Sequence, residues 1–419
     1  MVFPPRSNPE HANSAHTNSP RPIDRRTLLR AGVLAGSAAL LAACGKQGAG
    51  GSAAPAKVAR TNAPVTLAFS SDNPAIGAAM APEKGATLRL LNYADYLSPD
   101  LIKSFGQKYG CQVEVTTFTT MTEAVEKLRT GSTRYDVFFP TADVVGRVAQ
   151  AKLLQPLNHD YLGNLGNAWP SLQNPFYDQG SRYTVPYNVY SSGIGYRADK
   201  VTAIPANAYD LFWDPAYAGK VYLLDDYREA LAMTMLHRGH YDLNTEDPAA
   251  LALAGKDLAG LLKTVQVKLG TQEATLLPQG AALVHQAWSG DMVSAQSNLA
   301  KGQPVTQLGY WYPEHGKGVV GTDCMAVVRG APHPVLAHLF LDYLLDTANA
   351  GTNMSWIGYQ PAQTAFTPDY LVKNQYVPAN LTSAIVTEAE YRASVQLLEL
   401  TPTGEKLWQN TWAQFNAGS

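Results

Sequence analysis

The chain has 419 residues, 46% of them hydrophobic and 16% charged, with a formal net charge of −2. That length admits two or three domains, and the apolar share supports a large core, which excludes wholesale disorder. The near-neutral balance leaves no basic footprint for nucleic acid, and three cysteines are too few for a disulfide scaffold.

The charge is unevenly spread. Five arginines against Glu10 and Asp24 give residues 1–43 a charge of +3, so the remainder, from Cys44, carries −5. Arg25-Arg26 precedes an apolar run, Ala31–Ala43, that ends at Cys44. A basic segment followed by a short apolar one is a secretory signal, and the run falls well short of the ~20 residues a membrane-spanning helix needs. Asp24-Arg25-Arg26-Thr27-Leu28-Leu29 resembles the twin-arginine export signal, with Asp24 where Ser or Thr is usual; the general secretory route is the alternative. Leu41-Ala42-Ala43-Cys44 resembles the bacterial lipobox, which implies lipidation at Cys44 and an exported protein anchored to the cell membrane. Residues 44–86, rich in Gly, Ala, Ser and Pro, are expected to form a flexible tether spanning roughly 30–40 Å. Within it the short apolar stretch Val65–Phe69 fits either docking on the body or an edge strand.

From Thr87 the pattern alternates. Thr87–Asn92 reads as a strand, and Ser98-Pro99-Asp100 opens a helix that runs to Tyr109 and stops at Gly110. Gln112–Phe118 is a second strand, and Thr120-Met121-Thr122-Glu123 is a capping box for a helix ending near Gly131. Val137–Pro140 is a third strand, followed by a helical run over residues 143–151. Such alternation predicts an open parallel sheet. Further strands are expected at Val189–Tyr196, Val221–Leu224, Leu283–Ala287 and Cys324–Val328. Helices are expected at Tyr227–His237, Asp247–Leu269, Gly290–Ala300, Val335–Leu345, Ala348–Ile357 and Gly404–Phe415. The fold class is therefore α/β, with two lobes and a cleft between them.

Enzyme motifs fail: Walker, H-E-x-x-H, C-x-x-C and G-x-S-x-G patterns are all missing from the sequence. Gly316–Gly321 spells G-x-G-x-x-G but precedes a strand, so it offers no helix N-terminus to a pyrophosphate and reads as a loop. His333 and His338, five apart, do not share a ligating helix face, so no metal or cofactor site is expected. Asp225-Asp226-Tyr227-Arg228-Glu229 follows a strand and opens a helix; spacing alone fits a helix cap or a ligand contact equally. Asp95, Asp143 and Trp288 also follow strands, where ligands bind in open α/β sheets, and Asp323 joins them if its strand runs antiparallel. Carboxylates among aromatic walls suit a cationic, partly apolar guest.

These residues resemble the spermidine/putrescine (polyamine) solute-binding family of bacterial ABC importers. The stretches that carry the likeness are Leu90–Tyr96, Tyr135–Thr141, Leu223–Glu229, Trp288-Ser289-Gly290, Thr322-Asp323 and Gly358-Tyr359 with Pro361. The resemblance implies a two-lobed periplasmic-binding-protein type II fold with open mixed sheets and an antiparallel strand at Cys324–Val328. It assigns residues 87–190 and 321–390 to one lobe and 191–320 and 391–419 to the other. It also implies a monomer, not an enzyme, that hands a polyamine to a membrane permease. By position, Asp95 falls where the family often has the Glu of its Asn-Trp-x-Glu-Tyr motif, Tyr93 replaces the Trp, Tyr96 takes the place of the Tyr, and Thr141 matches a hydroxyl. Asp226 and Glu229 match an acidic pair, Trp288 and Tyr359 match walls, and Asp323 matches an ammonium-binding carboxylate. Two positions depart: Asp143 stands where an aromatic residue is common, and Gly321 where a Trp often packs on the methylene chain. Gln396 or Glu399 would supply a C-terminal contact. The implied pose gives Asp323 one ammonium, Asp226 and Glu229 a second charged region, and Asp95 or Asp143 the far end. A binding protein for another cationic or compatible solute, and a secreted hydrolase using Asp226 and Glu229, are the alternative readings; three residues apart at one helix start is a poor placement for paired hydrolytic carboxylates. Cys111 and Cys324 are expected as buried free thiols, because two strands separate them.

Overall fold

The computed structural model describes residues 58–314 and 316–418. The export signal, Cys44 and the first part of the expected tether lie outside the described residues. The body opens with strand β1 (Thr87–Tyr93), helix Pro99–Tyr109 and strand β2 (Gln112–Phe118). Pro99 supplies the fixed φ that suits a first helical position, and Gly110 ends the helix in the left-handed conformation at φ 67°. Thr120 caps helix Met121–Thr130 by accepting from the Glu123 amide, but Glu123 turns to the Thr119 amide, so the expected box is only half formed. Strand β3 keeps only Val137–Phe138, and helix Ala142–Gln150 follows.

Strand β4 (Thr184–Arg197) is much longer than expected. Then come β5 (Val221–Leu223), helices Tyr227–His237 and Pro248–Thr264, β6 (Lys268–Leu269) and β7 (Val284–Trp288). Helix Ser289–Ser294, β8 (Leu308–Trp311), β9 (Val319–Val327), helices Pro334–Leu345 and Thr347–Ile357, and a closing helix Pro402–Gly418 follow, with shorter helices between the main elements. The Gly316–Gly321 stretch runs into β9, and His338 is buried, accepting from the Asn158 amide.

One sheet joins these strands in the order β2-β1-β3-β9-β4-β7-β5-β6, with β8 also on β4. β1 pairs in parallel with β2 and β3, and β5 pairs in parallel with β6 and β7. β9 is antiparallel to both β3 and β4, and β4 is antiparallel to β7. Two parallel ends are thus joined through two long antiparallel strands. Successive side chains face opposite sides of a sheet, so Leu88 and Leu90 pack with Phe340 on one face while Leu91 packs with Phe118 and Phe138 on the other. At the far end, Val221, Leu223 and Val284 pack with Leu258, Trp408 and Phe415. A further core unites Leu277, Met292 and Leu308 with Met354, Phe366, Leu371 and Leu381, so residues expected in opposite lobes share one core there.

The segment before β1 does not behave as a tether from Val58 onward. Ala59 and Leu67 are buried, Val65 exchanges backbone hydrogen bonds with Phe176 and Gln179, and Asn73 donates to the Leu154 carbonyl at 2.8 Å. Glu83 accepts from the Val335 and Leu336 amides, capping helix Pro334–Leu345, whose own cap residue His333 supplies no side-chain bond. Apolar and capping contacts outweigh the Gly/Pro-rich composition here. Cys324 is buried and Cys111 only partly so; both are free, with β1 and β3 between their strands. Among the described residues no helix is long and apolar enough to cross a membrane.

Candidate functional site

Register builds the site. The carboxyl end of β3 reaches the sheet's crossing through Thr141, which bridges to Asp323 on β9. Asp323 lies opposite Asn188 on β4, and the carboxyl end of β7 arrives four residues further along, where Trp288 lies opposite Ser192. At ~3.3 Å per residue the two arrivals are about 13 Å apart along β4. Asn188, Tyr190 and Ser192 alternate onto one face between them.

At the first end, the Tyr96 hydroxyl donates to Asp323 Oδ2 at 2.5 Å and accepts from Asn188 Nδ2 at 2.6 Å. Burial pushes the Asp323 carboxyl up to about 7, against these hydrogen bonds and with the help of the Asp143 charge. Tyr96 meets Tyr93, Tyr187 and Tyr359 edge-on, with centroids 5.0–5.6 Å apart.

At the second end, Asp226 caps helix Tyr227–His237, its Oδ1 accepting from the Arg228 and Glu229 amides at 2.8 and 3.0 Å. Glu229 does not return the bond. Its Oε1 accepts from Ser192 Oγ at 2.8 Å and from Trp288 Nε1 at 3.1 Å, while the buried Oε2 has no partner among the described residues. Burial, then the Asp226 charge, raises Glu229 to about 7, and burial raises Asp226 as well. The Arg228 charge opposes the rise of both without overcoming burial, and its guanidinium donates elsewhere, to the Leu398 and Leu243 carbonyls and to Asn244, and lies over Trp408.

Asp143, in the first turn of helix Ala142–Gln150, acts on both ends, since its charge adds to the rise of Asp226 and of Asp323. Glu399 joins it: a Cβ on Gly146 would lie 2.7 Å from Glu399 Oε2, and the Asp143 charge adds to the burial that raises Glu399. Gln396 instead spends its carbonyl on Asn244 and its side chain on Tyr391, so of the two C-terminal candidates the structure brings Glu399 to the cluster. The Tyr359 ring lies against Gly290, where a Cβ would be 2.2 Å away, and its hydroxyl donates to Asp291 at 2.6 Å. Buried Glu273, raised by burial and by Asp291, accepts from the Trp288 amide at 3.3 Å. Both walls therefore rest on one carboxyl pair.

Tyr93, Tyr96, Thr141, Asp143, Asp226, Glu229, Trp288, Asp323 and Tyr359 are thus brought together, and Asp95 is not. Asp95 is exposed on the turn after β1 at φ 54°, whereas Asp226, Glu229 and Asp323 are inside the cluster. The left-handed turn sends its side chain away from the cluster. Sequence reasoning missed Asn188, Tyr190, Ser192, Glu273 and Asp291. The two-residue alternation of Asn188, Tyr190 and Ser192 was a usable signal; nothing local marks the other two.

The family model for bacterial extracellular solute-binding proteins matches residues 100–377. The putrescine/cadaverine-binding protein of Pseudomonas aeruginosa is 30% identical over 304 residues, covering 69% of this chain and 82% of the relative. The spermidine/putrescine-binding periplasmic protein 1 of Haemophilus influenzae is 28% identical over 275 residues, covering 65% and 74%. Among solved structures, the spermidine/putrescine ABC transporter substrate-binding protein of Streptococcus pneumoniae superposes with a TM-score of 0.65 at 22% identity, covering 80% of this chain and 99% of that one. The two-lobed type II fold expected from the sequence is therefore the fold of this chain, and the chain belongs to the bacterial extracellular solute-binding protein family.

Proposed function

We propose that this protein captures a polyamine of the putrescine/spermidine class between its lobes and delivers it to an ABC permease. The observation that carries the reading is a pair of buried carboxyls, Asp323 and Glu229, both raised to about 7, one with an oxygen that lacks a partner among the described residues, at the two ends of a tyrosine-lined floor. Such groups are costly to ionise until a cation arrives. In the proposed pose Asp323 binds one nitrogen, Glu229 Oε2 with Asp226 binds the other end, and Asp143 adds charge between them. Tyr96, Trp288 and Tyr359 cover the methylenes and contribute cation–π attraction of about 0.5–2 kcal/mol each. The names carried by the relatives support the same guest.

The reading is of a carrier, not a catalyst. Asp226 Oδ1 is tied to two amides and Glu229 Oε1 to Ser192 and Trp288, on one helix start, a poor placement for two carboxyls that would have to flank a bond. The lobes would hinge where β4 and β9 cross, with the first built on residues 87–190 and β9 and the second on β5–β8 and the closing helix. The shared core of Met292 and Leu308 with Phe366 and Leu381 supports assigning the stretch near 366–385 to the second lobe. Export by the Arg25-Arg26 signal and lipidation at Cys44 would hold the protein, as a monomer, outside the membrane facing its permease.

Thermal shift with putrescine, cadaverine, spermidine, spermine, basic amino acids and neutral sugars tests the guest. Stabilisation by polyamines alone is expected; a shift with another solute and none with any polyamine rejects it.

A further inference from the structure

Tyr190 lies midway between the two ends of the floor, two residues from Asn188 and two from Ser192. Its register partner is Gly321, and the phenol ring folds across that glycine: a Cβ there would be 2.3 Å from Cζ and 2.4 Å from the hydroxyl. The charges of Asp323, Glu229 and Asp143 all act on this phenol, in that order after burial. Its hydroxyl has no hydrogen bond among the described residues. Cross-strand tyrosine–glycine pairs recur nearby, Tyr196 over Gly309 and Tyr310 over Gly193, and the Tyr310 hydroxyl is spent on the Ser191 carbonyl at 2.9 Å. Tyr190 differs because it alone of the three lies within the field of Asp323, Glu229 and Asp143 together.

The position has a length consequence. A diamine with four methylenes spans about 6 Å between its nitrogens, whereas a triamine of spermidine's length spans about 11 Å, long enough to pass Tyr190 from either end. Such a guest carries a secondary ammonium between its ends, opposite a hydroxyl that can accept from it. A tryptophan wall at position 321 would offer a donor only. Resting on the polyamine reading above, we infer that Tyr190 is a specificity-determining residue whose hydroxyl accepts from the central ammonium of a triamine, selecting it over a diamine of the same length.

Titration calorimetry of the purified protein with spermidine, putrescine and 1,8-diaminooctane tests this, the last having spermidine's length without its middle nitrogen. The parent should prefer spermidine to diaminooctane by roughly tenfold, the scale of one charged hydrogen bond. Tyr190→Phe keeps the ring and should erase that preference, moving diaminooctane and putrescine by less than about twofold. The double change Tyr190→Gly with Gly321→Trp restores a wall without an acceptor and should behave like Tyr190→Phe. A parent that treats spermidine and diaminooctane alike, a Tyr190→Phe protein that keeps the preference, or an equal loss for all three guests would overturn the assignment. A parent that binds no amine at all rejects the polyamine reading itself, and that result is seen before any variant is made.

Discussion

The two ends of the floor hold carboxyls raised to the same level, about 7, by the same cause, burial, yet they are built differently. Asp323 sits on a strand and is held by a phenol that is itself held by Asn188. Glu229 sits in the first turn of a helix, with one oxygen fixed by Ser192 and Trp288 and the other unpartnered among the described residues. The first end is rigid and already partly satisfied; the second keeps an acceptor open. A buried acceptor without a donor costs about 1–3 kcal/mol, so the second end gains more when a cation fills it. The surface shows the opposite treatment of the same residue type: Glu123, beside Lys127 and the Thr119 amide, is lowered to about 2.

The largest expected effect comes from removing a charge at either end while keeping its shape. Asp323→Asn and Asp226→Asn should each weaken polyamine binding by tenfold or more, taking about 1.4 kcal/mol per tenfold, and calorimetry reads this directly. Glu229→Gln should do the same, and if the open oxygen matters as argued, its loss should at least equal that of Asp323→Asn. A markedly smaller loss would break the contrast between the ends.

Next in size is the dependence on pH. Both carboxyls have folded pKa values above their ordinary ones, 3.8 for Asp and 4.5 for Glu. Each therefore contributes stability that is complete below about pH 4 and is lost as pH rises through 7. The ligand-free protein should melt several degrees lower at pH 8 than at pH 5, a shift that Asp323→Asn reduces. A bound cation favours the ionised forms, so affinity should rise over the same interval and binding should release protons, measured as a buffer-dependent heat. A flat melting profile in both proteins would remove the electrostatic basis of the site.

Much of this was legible in the residues. Pro99 and Gly110 bracket a helix for local reasons, and Asp226 follows a strand and caps a helix because Asx side chains accept from free amides. The direction of β9, on which the place of Asp323 depends, is fixed by pairing with β3 and β4 and has no local signature. The same is true of Tyr190 over Gly321, which exists only through cross-strand register, and of Glu273 with Asp291, which meet across separate elements. The stretch from Val58 was misjudged because composition reports chain flexibility but not the docking partners Phe176 and Leu154.

Tyr96→Phe separates the ends more finely. It deletes the phenol hydrogen bond that opposes the rise of Asp323, so that carboxyl should titrate higher while Glu229 stays put. Binding at pH 8 should fall roughly three- to tenfold, the scale of one hydrogen bond, and the loss should grow as pH is lowered. A pH-independent loss would mean that Tyr96 serves only as a wall.

The smallest effect belongs to Asp95, which sequence position places at the carboxyl end of β1 beside two tyrosines of the site. Its backbone, at φ 54°, takes a left-handed turn that leaves the carboxylate exposed. Charges in water are screened over about 8 Å at physiological ionic strength, so Asp95→Asn should change affinity by less than about twofold, and added salt should abolish what remains. Asn also tolerates the left-handed region, so the variant tests charge without disturbing the turn. A tenfold loss would show that the turn rearranges to bring Asp95 onto the guest, and the Asp323 end would then hold two carboxylates rather than one.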